Sequence, residues 1–593
     1  MSESIVDKTS GVNEKCVASD KELFGHPVGL FILFFTEMWE RFSYYGMRAL
    51  LVLYMASTIE DGGLGWTNAS AIQLYGWYTM LVYVMSIPGG IIADKLIGQK
   101  KSVLYGGIIL VAGHSILAIE QMWAFYSGLG LIILGVGMLK PNISTMVGGL
   151  YKQGDLKRDK GFTIFYIGIN IGAFLSALIV GYVGETIGWH YGFGLAGIGM
   201  ALGLIVYVVG QKHLKHVGNF IGASQNEEEK AAAKKPLTKV EKDRVIVLLI
   251  SFLIIIVFWG AFEQAGGLLN IYAQDKVDRS VFGWEMPATW FQSFNAFFII
   301  VFGTVVAGYW ANRKLKGKES STLLKMGVGT IIMGLGFLLM AGASQEASSV
   351  AYGSASFWWL TGAYLLHTIG ELCASPTALS FITKLAPVKY ASIMMGVYFA
   401  ATGFGNKLAG SIGEASQTEP TKIEMIASVD ELTGYNGADT LVAKDAAISL
   451  KTQFYLENGN VVAKELTTGK PVMDLFKIAS VDKVKEINEV LTERKATSEN
   501  PLHATFSVEK DKEAKKIKAN KGDAKDYSGT LIIEEVQSEQ EFNIFVFIFL
   551  LTLVFGVLII IFLKKLKKLT HGAEDHEGEN FDGTEGFELA EEV

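Results

Sequence analysis

The sequence predicts an all-α polytopic membrane protein with twelve spanning helices in two groups of six, plus a small α+β domain inserted outside the membrane. Three observations carry this. Half of the 593 residues are hydrophobic and only 19% are charged, against roughly 25% in soluble domains. Mean hydropathy is +0.33, and so much apolar surface cannot be hidden inside ordinary soluble domains. Apolar runs long enough to span a bilayer, about 20 residues each, recur twelve times, and two polar segments interrupt them. The composition excludes a disordered or collagen-like chain. With a net charge of −7 and basic residues in short clusters, it excludes a nucleic-acid binder, which needs a coherent basic face. The two cysteines, Cys16 and Cys373, permit neither a disulfide framework nor a Cys-rich metal site.

Taken in order, residues 1–27 form a polar tail. The spans lie at about 28–57, 72–97, 102–120, 123–150, 162–185, 191–211, 244–273, 287–311, 322–343, 356–383, 391–412 and 542–563. The first is too long and too charged for a cleavable signal peptide. Pro88, Pro141 and Pro376 fall in or near spans, where neighbouring helices re-satisfy freed backbone groups. Orientation follows from basic residues in short loops. Lys95, Lys100 and Lys101 follow span two; Lys152, Lys157, Arg158 and Lys160 follow span four. Arg313, Lys314, Lys316 and Lys318 follow span eight, and Lys564, Lys565, Lys567 and Lys568 follow span twelve. The loop 58–71 has no Lys or Arg. Both termini are therefore expected in the cytoplasm.

The linker 212–243, with Glu227–Glu229, Lys234 and Lys235, separates a six-helix bundle over 28–211 from helices 7–11 over 244–412. The insertion 414–541 then falls on the extracytoplasmic side. It holds a hairpin signal at Asn458-Gly459 between Gln453–Glu457 and Asn460–Leu466. After Ser480, a helical face is formed by Val481, Val484, Ile487 and Leu491. Ala504, Phe506 and Val508 alternate as in a strand. The chain closes with helix 12 and a tail, 564–593, that is basic and then acidic, its acidic part predicted to be disordered.

Charges inside the spans are the functional signal, since each costs about 2.5–3.5 kcal/mol at mid-bilayer even on the lenient insertion scale. Glu37, Glu40, Arg41, Tyr44, Tyr45 and Arg48 lie at offsets 0, 3, 4, 7, 8 and 11, one stripe of one helix. Lys140, Glu263, Glu371 and Lys407 add charges in spans four, seven, ten and eleven. A central polar cavity between the two bundles satisfies them. Lys407 reads equally as a partner or as a helix-end cation reaching the interface. His114 and His367 read as packed, hydrogen-bonded core residues rather than proton carriers.

These residues also resemble a family. Glu37-Met38-Trp39-Glu40-Arg41-Phe42-Ser43-Tyr44-Tyr45-Gly46 resembles the ExxERFxYYG motif of proton-coupled oligopeptide transporters, members of the major facilitator superfamily. Gly90–Gly98 resembles the superfamily GxxxDxxxG loop. Lys140-Pro141-Asn142 is similar to the family's KPN, and Phe165–Ala173 to its FYxxINxGS/A signature. Phe258-Trp259 with Glu263-Gln264, and Glu371–Pro376, resemble the motifs of spans seven and ten. Tyr398 stands where the family often has Trp, and Gly76 where animal members have His. Animal members place an external domain between spans nine and ten, not eleven and twelve.

The resemblance implies a major facilitator fold and proton symport of di- and tripeptides into the cell, in a plasma membrane such as the bacterial inner membrane. A short peptide is a zwitterion, so a site that clamps its two termini accepts many side chains. Arg41 and Lys140 suit the carboxylate; Glu371, with the amide oxygens of Asn170 and Asn295, suits the ammonium. Tyr45, Tyr83, Trp259, Ser375 and Tyr398 are expected to line the pocket, and Arg48 and Glu263 both to bind peptide and to pair the bundles as an outer gate. Glu37, Glu40 and Glu371, beside Arg41, are the candidates for proton coupling. Protons are the coupling ion; no cofactor and no metal is expected, and the lipid bilayer is the surrounding partner. Two other readings are a symporter of the same fold for other small anions or metabolites, and a membrane-anchored sensor or enzyme acting through the external domain. The external domain's one His (His503), its lack of Cys and the number of spans count against the second.

Overall fold

A computed structural model describes residues 22–59, 61–151, 156–219, 237–349, 354–387, 391–417, 421–428, 448–465, 469, 471, 476–477, 481–493, 496–498, 501–508, 526–533 and 538–573. Cys16, Lys152, residues 220–236 of the charged linker (with Glu227–Glu229, Lys234 and Lys235) and the acidic tail from residue 574 lie outside them. The chain divides into two units, Met1–Ser416 with Glu541–Val593, and Gln417–Gln540.

The first unit is helical. Its N-terminal half holds α1 (Val28–Ala56), α2 (Asn68–Ile92), α3 (Gln99–Leu117), α4 (Met122–Gly148), α5 (Leu156–Ser176) and α6 (Trp189–Gly210). A π-turn, Ala177–Gly181, and a last turn, Tyr182–Thr186, continue α5. The C-terminal half holds α7 (Lys239–Phe262), α8 (Phe291–Leu315), α9 (Thr322–Ser349), α10 (Phe357–Leu385), α11 (Ala391–Ala415) and α12 (Ser538–Thr570). A capping box between Thr238 and Glu241 starts α7, and Leu268–Lys276 prolongs it beyond the 3₁₀ turn Glu263–Ala265. Among the described residues, eight helical segments, built on α2, α4, α5, α6, α7, α8, α9 and α12, are long and apolar enough to cross a membrane. At 29 residues α1 is as long, but it carries two glutamates and two arginines.

Within the N-terminal half, α1 packs on α5 and α6, and α3 on α4 and α6. Within the C-terminal half, α7 packs on α11, α8 on α10, and α9 on α10. The halves meet chiefly through α2 with α11 and α5 with α8, and α1 also touches the extension Leu268–Lys276. Gly76 and Gly410 meet where α2 crosses α11: a Cβ on Gly76 would stand 2.7 Å from the Gly410 Cα. The departure from the animal pattern at Gly76 therefore has a packing cause, because a histidine there has no room.

The histidine expectation needs correction. His114 and His367 are both buried, and neither ring makes a hydrogen bond among the described residues. His367 instead lies 4.6 Å, centroid to centroid, from the Phe337 ring. At Gly336 of α9 a Cβ would stand 2.5 Å from His367 Cδ2 and Nε2, so that edge of the ring packs on the α9 backbone.

The second unit is built on a six-stranded antiparallel sheet. Its strands are β1 (Thr421–Ser428), β2 (Ile448–Glu457), β3 (Asn460–Glu465), β4 (Phe476–Lys477), β5 (Leu502–Val508) and β6 (Asp526–Ile533). Their order is β4-β1-β6-β5-β2-β3. Asn458 and Gly459, at φ 52° and 78°, turn the β2–β3 hairpin, the geometry that an Asn-Gly step favours. The helix Val481–Glu493 buries Ile487 and Leu491.

Candidate functional site

The charged stripe of α1 is buried against α5. Arg41 Nε lies 3.0 Å from Glu37 Oε1 and 2.5 Å from Glu40 Oε2, and all three side chains are at most 4% exposed. Two acids on one arginine leave valences over. Glu37 Oε2, Glu40 Oε1 and Arg41 Nη2 are buried with no hydrogen-bond partner among the described residues. The guanidinium also lies 5.6 and 5.8 Å from the Tyr44 and Tyr45 ring centroids, in cation–π range. Gly172 lets α5 approach this stripe: a Cβ there would meet the Met38 carbonyl oxygen at 2.2 Å.

Lys140, on α4, makes no ion pair among the described residues. Its Nζ sits 4.2 Å from the centroid of the Tyr83 ring on α2. Such a cation needs an anion from elsewhere, since an unpaired charge in a low-dielectric interior is costly.

A cavity with about 930 Å³ of empty space, its opening included, lies between the halves. Tyr45, Arg48, Tyr83 and Asn170 line it from the N-terminal half, and Trp259, Glu263, Asn295 and Glu371 from the C-terminal half. Glu371 Oε2 accepts from Asn295 Nδ2 at 2.7 Å, and the same amide lies 3.1 Å from Thr368 Oγ1. Asn170 donates from Nδ2 to the Tyr166 carbonyl at 3.0 Å, so its oxygen is not spent on that bond. Arg48 Nε lies 3.5 Å from Glu263 Oε1, an ion pair without hydrogen-bond geometry. Glu263 Oε1 also accepts from the Tyr75 hydroxyl of α2.

Glu37, Glu40, Arg41 and Lys140 lie outside the cavity wall, in a layer behind Tyr45 and Tyr83. Ser375 and Tyr398 are not in this cavity. They line a smaller, mostly apolar pocket with Ile254, Ile255 and Thr330, which among the described residues shares Trp259 with the central site. This corrects their expected place in the main pocket: Ser375 shares a face of α10 with Glu371, four residues earlier, but stands one helical turn further along, at the level of the second pocket. Lys407 Nζ is 4.8 Å from the Trp77 ring centroid. The sequence reading missed Tyr166, Gln292, Tyr364 and His367 in the wall. Each sits in an apolar helix where nothing local distinguishes a cavity face from a packed one.

The profile described as the POT family matches residues 100–227 and 220–428. The chain belongs to the POT family. Similar POT-family proteins include the peptide transporter YePEPT of Yersinia enterocolitica subsp. palearctica serotype O:3 (strain YE-P4), 35% identical over 452 residues that cover 66% of this chain and 88% of that one. The di-/tripeptide transporter of Lactococcus lactis subsp. cremoris is 35% identical over 444 residues, 65% of this chain and 88% of that one. A crystal structure of a peptide transporter POT, a Glu-to-Gln mutant in complex with alafosfalin, is 36% identical. It superposes with a TM-score of 0.63 over 68% of this chain and 91% of that chain. POT-family proteins are transporters, so this chain is a transporter and not an enzyme.

Proposed function

We propose that this chain is a proton-coupled symporter that carries di- and tripeptides into the cell by alternating access. The observation that carries the reading is the charge division of one cavity. Glu371 with Asn295 stands on one side. Arg48 stands on the other, with Arg41 and Lys140 behind Tyr45 and Tyr83. A zwitterion of peptide length matches that division, and free termini there form charge-assisted hydrogen bonds of about 1.5–3 kcal/mol each. The relatives' names as peptide and di-/tripeptide transporters support it, as does the alafosfalin complex of a similar structure.

In this reading Lys140 and Arg41 take the carboxylate; Glu371, Asn170 and Asn295 take the ammonium; and Tyr45, Tyr83 and Trp259 shape the space between. Ser375 and Tyr398 act from the neighbouring pocket. Glu37, Glu40 and Glu371 are the coupling acids, because each gains or loses a cationic neighbour when the cavity changes state. The twelve long helices are the twelve spans of a major facilitator fold, six in each bundle. Both termini face the cytoplasm of a bacterial inner membrane, and the unit Gln417–Gln540 faces outward.

Hydrogen bonds that cross between the halves cluster toward one face of the first unit. They include Gln73 to Glu414 at 2.7 Å, Asn270 to the Ala49 carbonyl at 2.8 Å and Tyr75 to Glu263. In the proposed orientation that face is external, so the state is outward-closed, with Arg48 and Glu263 as part of the gate.

The test is uptake of labelled dialanine into proteoliposomes with and without an inward proton gradient. Gradient-dependent accumulation, competed by di- and tripeptides but not by free amino acids, is expected. Accumulation that ignores the gradient, or ignores peptides, would overturn the assignment.

A further inference from the structure

We propose that Glu185 is an outer latch: its carboxylate, carried by the N-terminal half, caps the N-terminus of α8 in the C-terminal half and so holds the outer side closed. The inference rests on the alternating-access reading above.

Glu185 lies in the last turn that continues α5. Its Oε2 accepts from the Ala288 N–H at 2.9 Å. Its Oε1 accepts from the Thr289 N–H at 2.9 Å and from the Thr289 hydroxyl at 2.5 Å. These donors open the turn Ala288–Trp290 that leads into α8, and Pro287, in the cap position, supplies no side-chain bond. The first N–H groups of a helix need an acceptor, and a carboxylate is favoured there by both hydrogen bonding and the helix dipole. Here the acceptor comes from the other half of the molecule.

The surroundings are built for a close approach. Thr289 packs on Gly181, where a Cβ would stand 2.1 Å from the threonine hydroxyl oxygen. The Trp290 indole donates to the Leu178 carbonyl and the Ser293 hydroxyl to the Phe174 carbonyl, each at 3.1 Å. Asp61, Arg279 and Glu285 share the outer pocket with Glu185. Arg279 is held by Glu285 and the Met286 carbonyl, at 2.8 and 2.7 Å, so a local pair already occupies it. Contacts within one half survive when the halves rock, whereas this cap exists only while they are closed. That differential contact is what biases one state over another.

The test uses the full-length protein in intact cells. Ala173 lines the central cavity, so Ala173→Cys reports entry of a membrane-impermeant maleimide from outside, with the chain lacking this change as the background. Glu185→Gln removes the charge and exchanges one acceptor for a donor. It is expected to raise the labelling rate about 5- to 30-fold, the population change that corresponds to 1–2 kcal/mol. Thr289→Val, which keeps both backbone bonds, should raise it less, and Thr289→Ser should restore the original rate. An unchanged rate in Glu185→Gln overturns the latch. If that variant does not reach the membrane, the Thr289→Val and Thr289→Ser pair decides in the same way, equal rates overturning it. Labelling needs no peptide. A failure of peptide uptake by the unaltered protein would therefore strike the substrate reading and leave the latch readable.

Discussion

Glu371 lines the proposed site and Lys140 lies against the Tyr83 ring of its wall, and each has unspent capacity. Among the described residues Lys140 has an aromatic face but no carboxylate partner; Glu371 has an amide donor at 2.7 Å. A peptide terminus bound to each contributes about 1.5–3 kcal/mol, so Lys140→Gln and Glu371→Gln should each lower dialanine uptake roughly 10- to 150-fold. Initial rates in proteoliposomes check this, and near-normal accumulation by both variants removes them from the site. Glu40 differs, because it shares Arg41 with Glu37. Glu40→Gln leaves Arg41 one carboxylate and removes one titratable group. Counterflow between compartments of equal pH should stay within about threefold of the original rate, while accumulation driven by the gradient disappears. Retained accumulation assigns the coupling proton to Glu37 or Glu371.

Helices meet in this molecule where a side chain is missing. Gly172 of α5 lies so close to α1 that a methyl group would overlap the Met38 carbonyl. Gly172→Ala should therefore cost about 1–3 kcal/mol of packing, lower the midpoint of thermal unfolding in detergent, and disturb Arg41, whose Cβ is also within 3.1 Å. Gly130 of α4 is the contrast: nothing lies within 4 Å of its Cβ position. Gly130→Ala should leave the midpoint unchanged or raise it, because alanine is the better helix former by about 0.8–1 kcal/mol. Equal losses for both variants would mean that the α1–α5 contact does not set the effect.

The two units differ in the forces that build them, apolar helix faces in one and an antiparallel sheet in the other. The described residues that line the central cavity belong to the first unit. Replacing residues 418–537 with a short Gly/Ser linker should therefore leave peptide uptake and its pH dependence largely unchanged, since flexible residues can join neighbouring helix ends. The insertion's charges are mixed in sign, so it offers little steering to a zwitterion near zero net charge. A higher half-saturation concentration at unchanged maximal rate would reveal a role in holding peptides near the entrance. Complete loss of transport in a folded, inserted deletion variant would make the insertion part of the transport machinery.

What the sequence determined by itself is what short range controls. Bilayer-length apolar runs mark where the long helices lie, because an unsatisfied backbone cannot sit in hydrocarbon. The offsets of Glu37, Glu40 and Arg41 put them in contact, because a helix repeats every 3.6 residues. The Asn458-Gly459 step turns its hairpin, because both residues tolerate positive φ. Tertiary structure alone decided which helix faces share the cavity. Asn295 meets Glu371 across 76 positions of chain, and Glu185 reaches Thr289 across 104. Tyr166 and Gln292 join the wall, while Ser375, one turn along from Glu371, lines a second pocket. Periodicity is nearly silent in a helix that is apolar on every side, so the packing of one helix on another, not the order of residues along it, selects the face that meets the substrate.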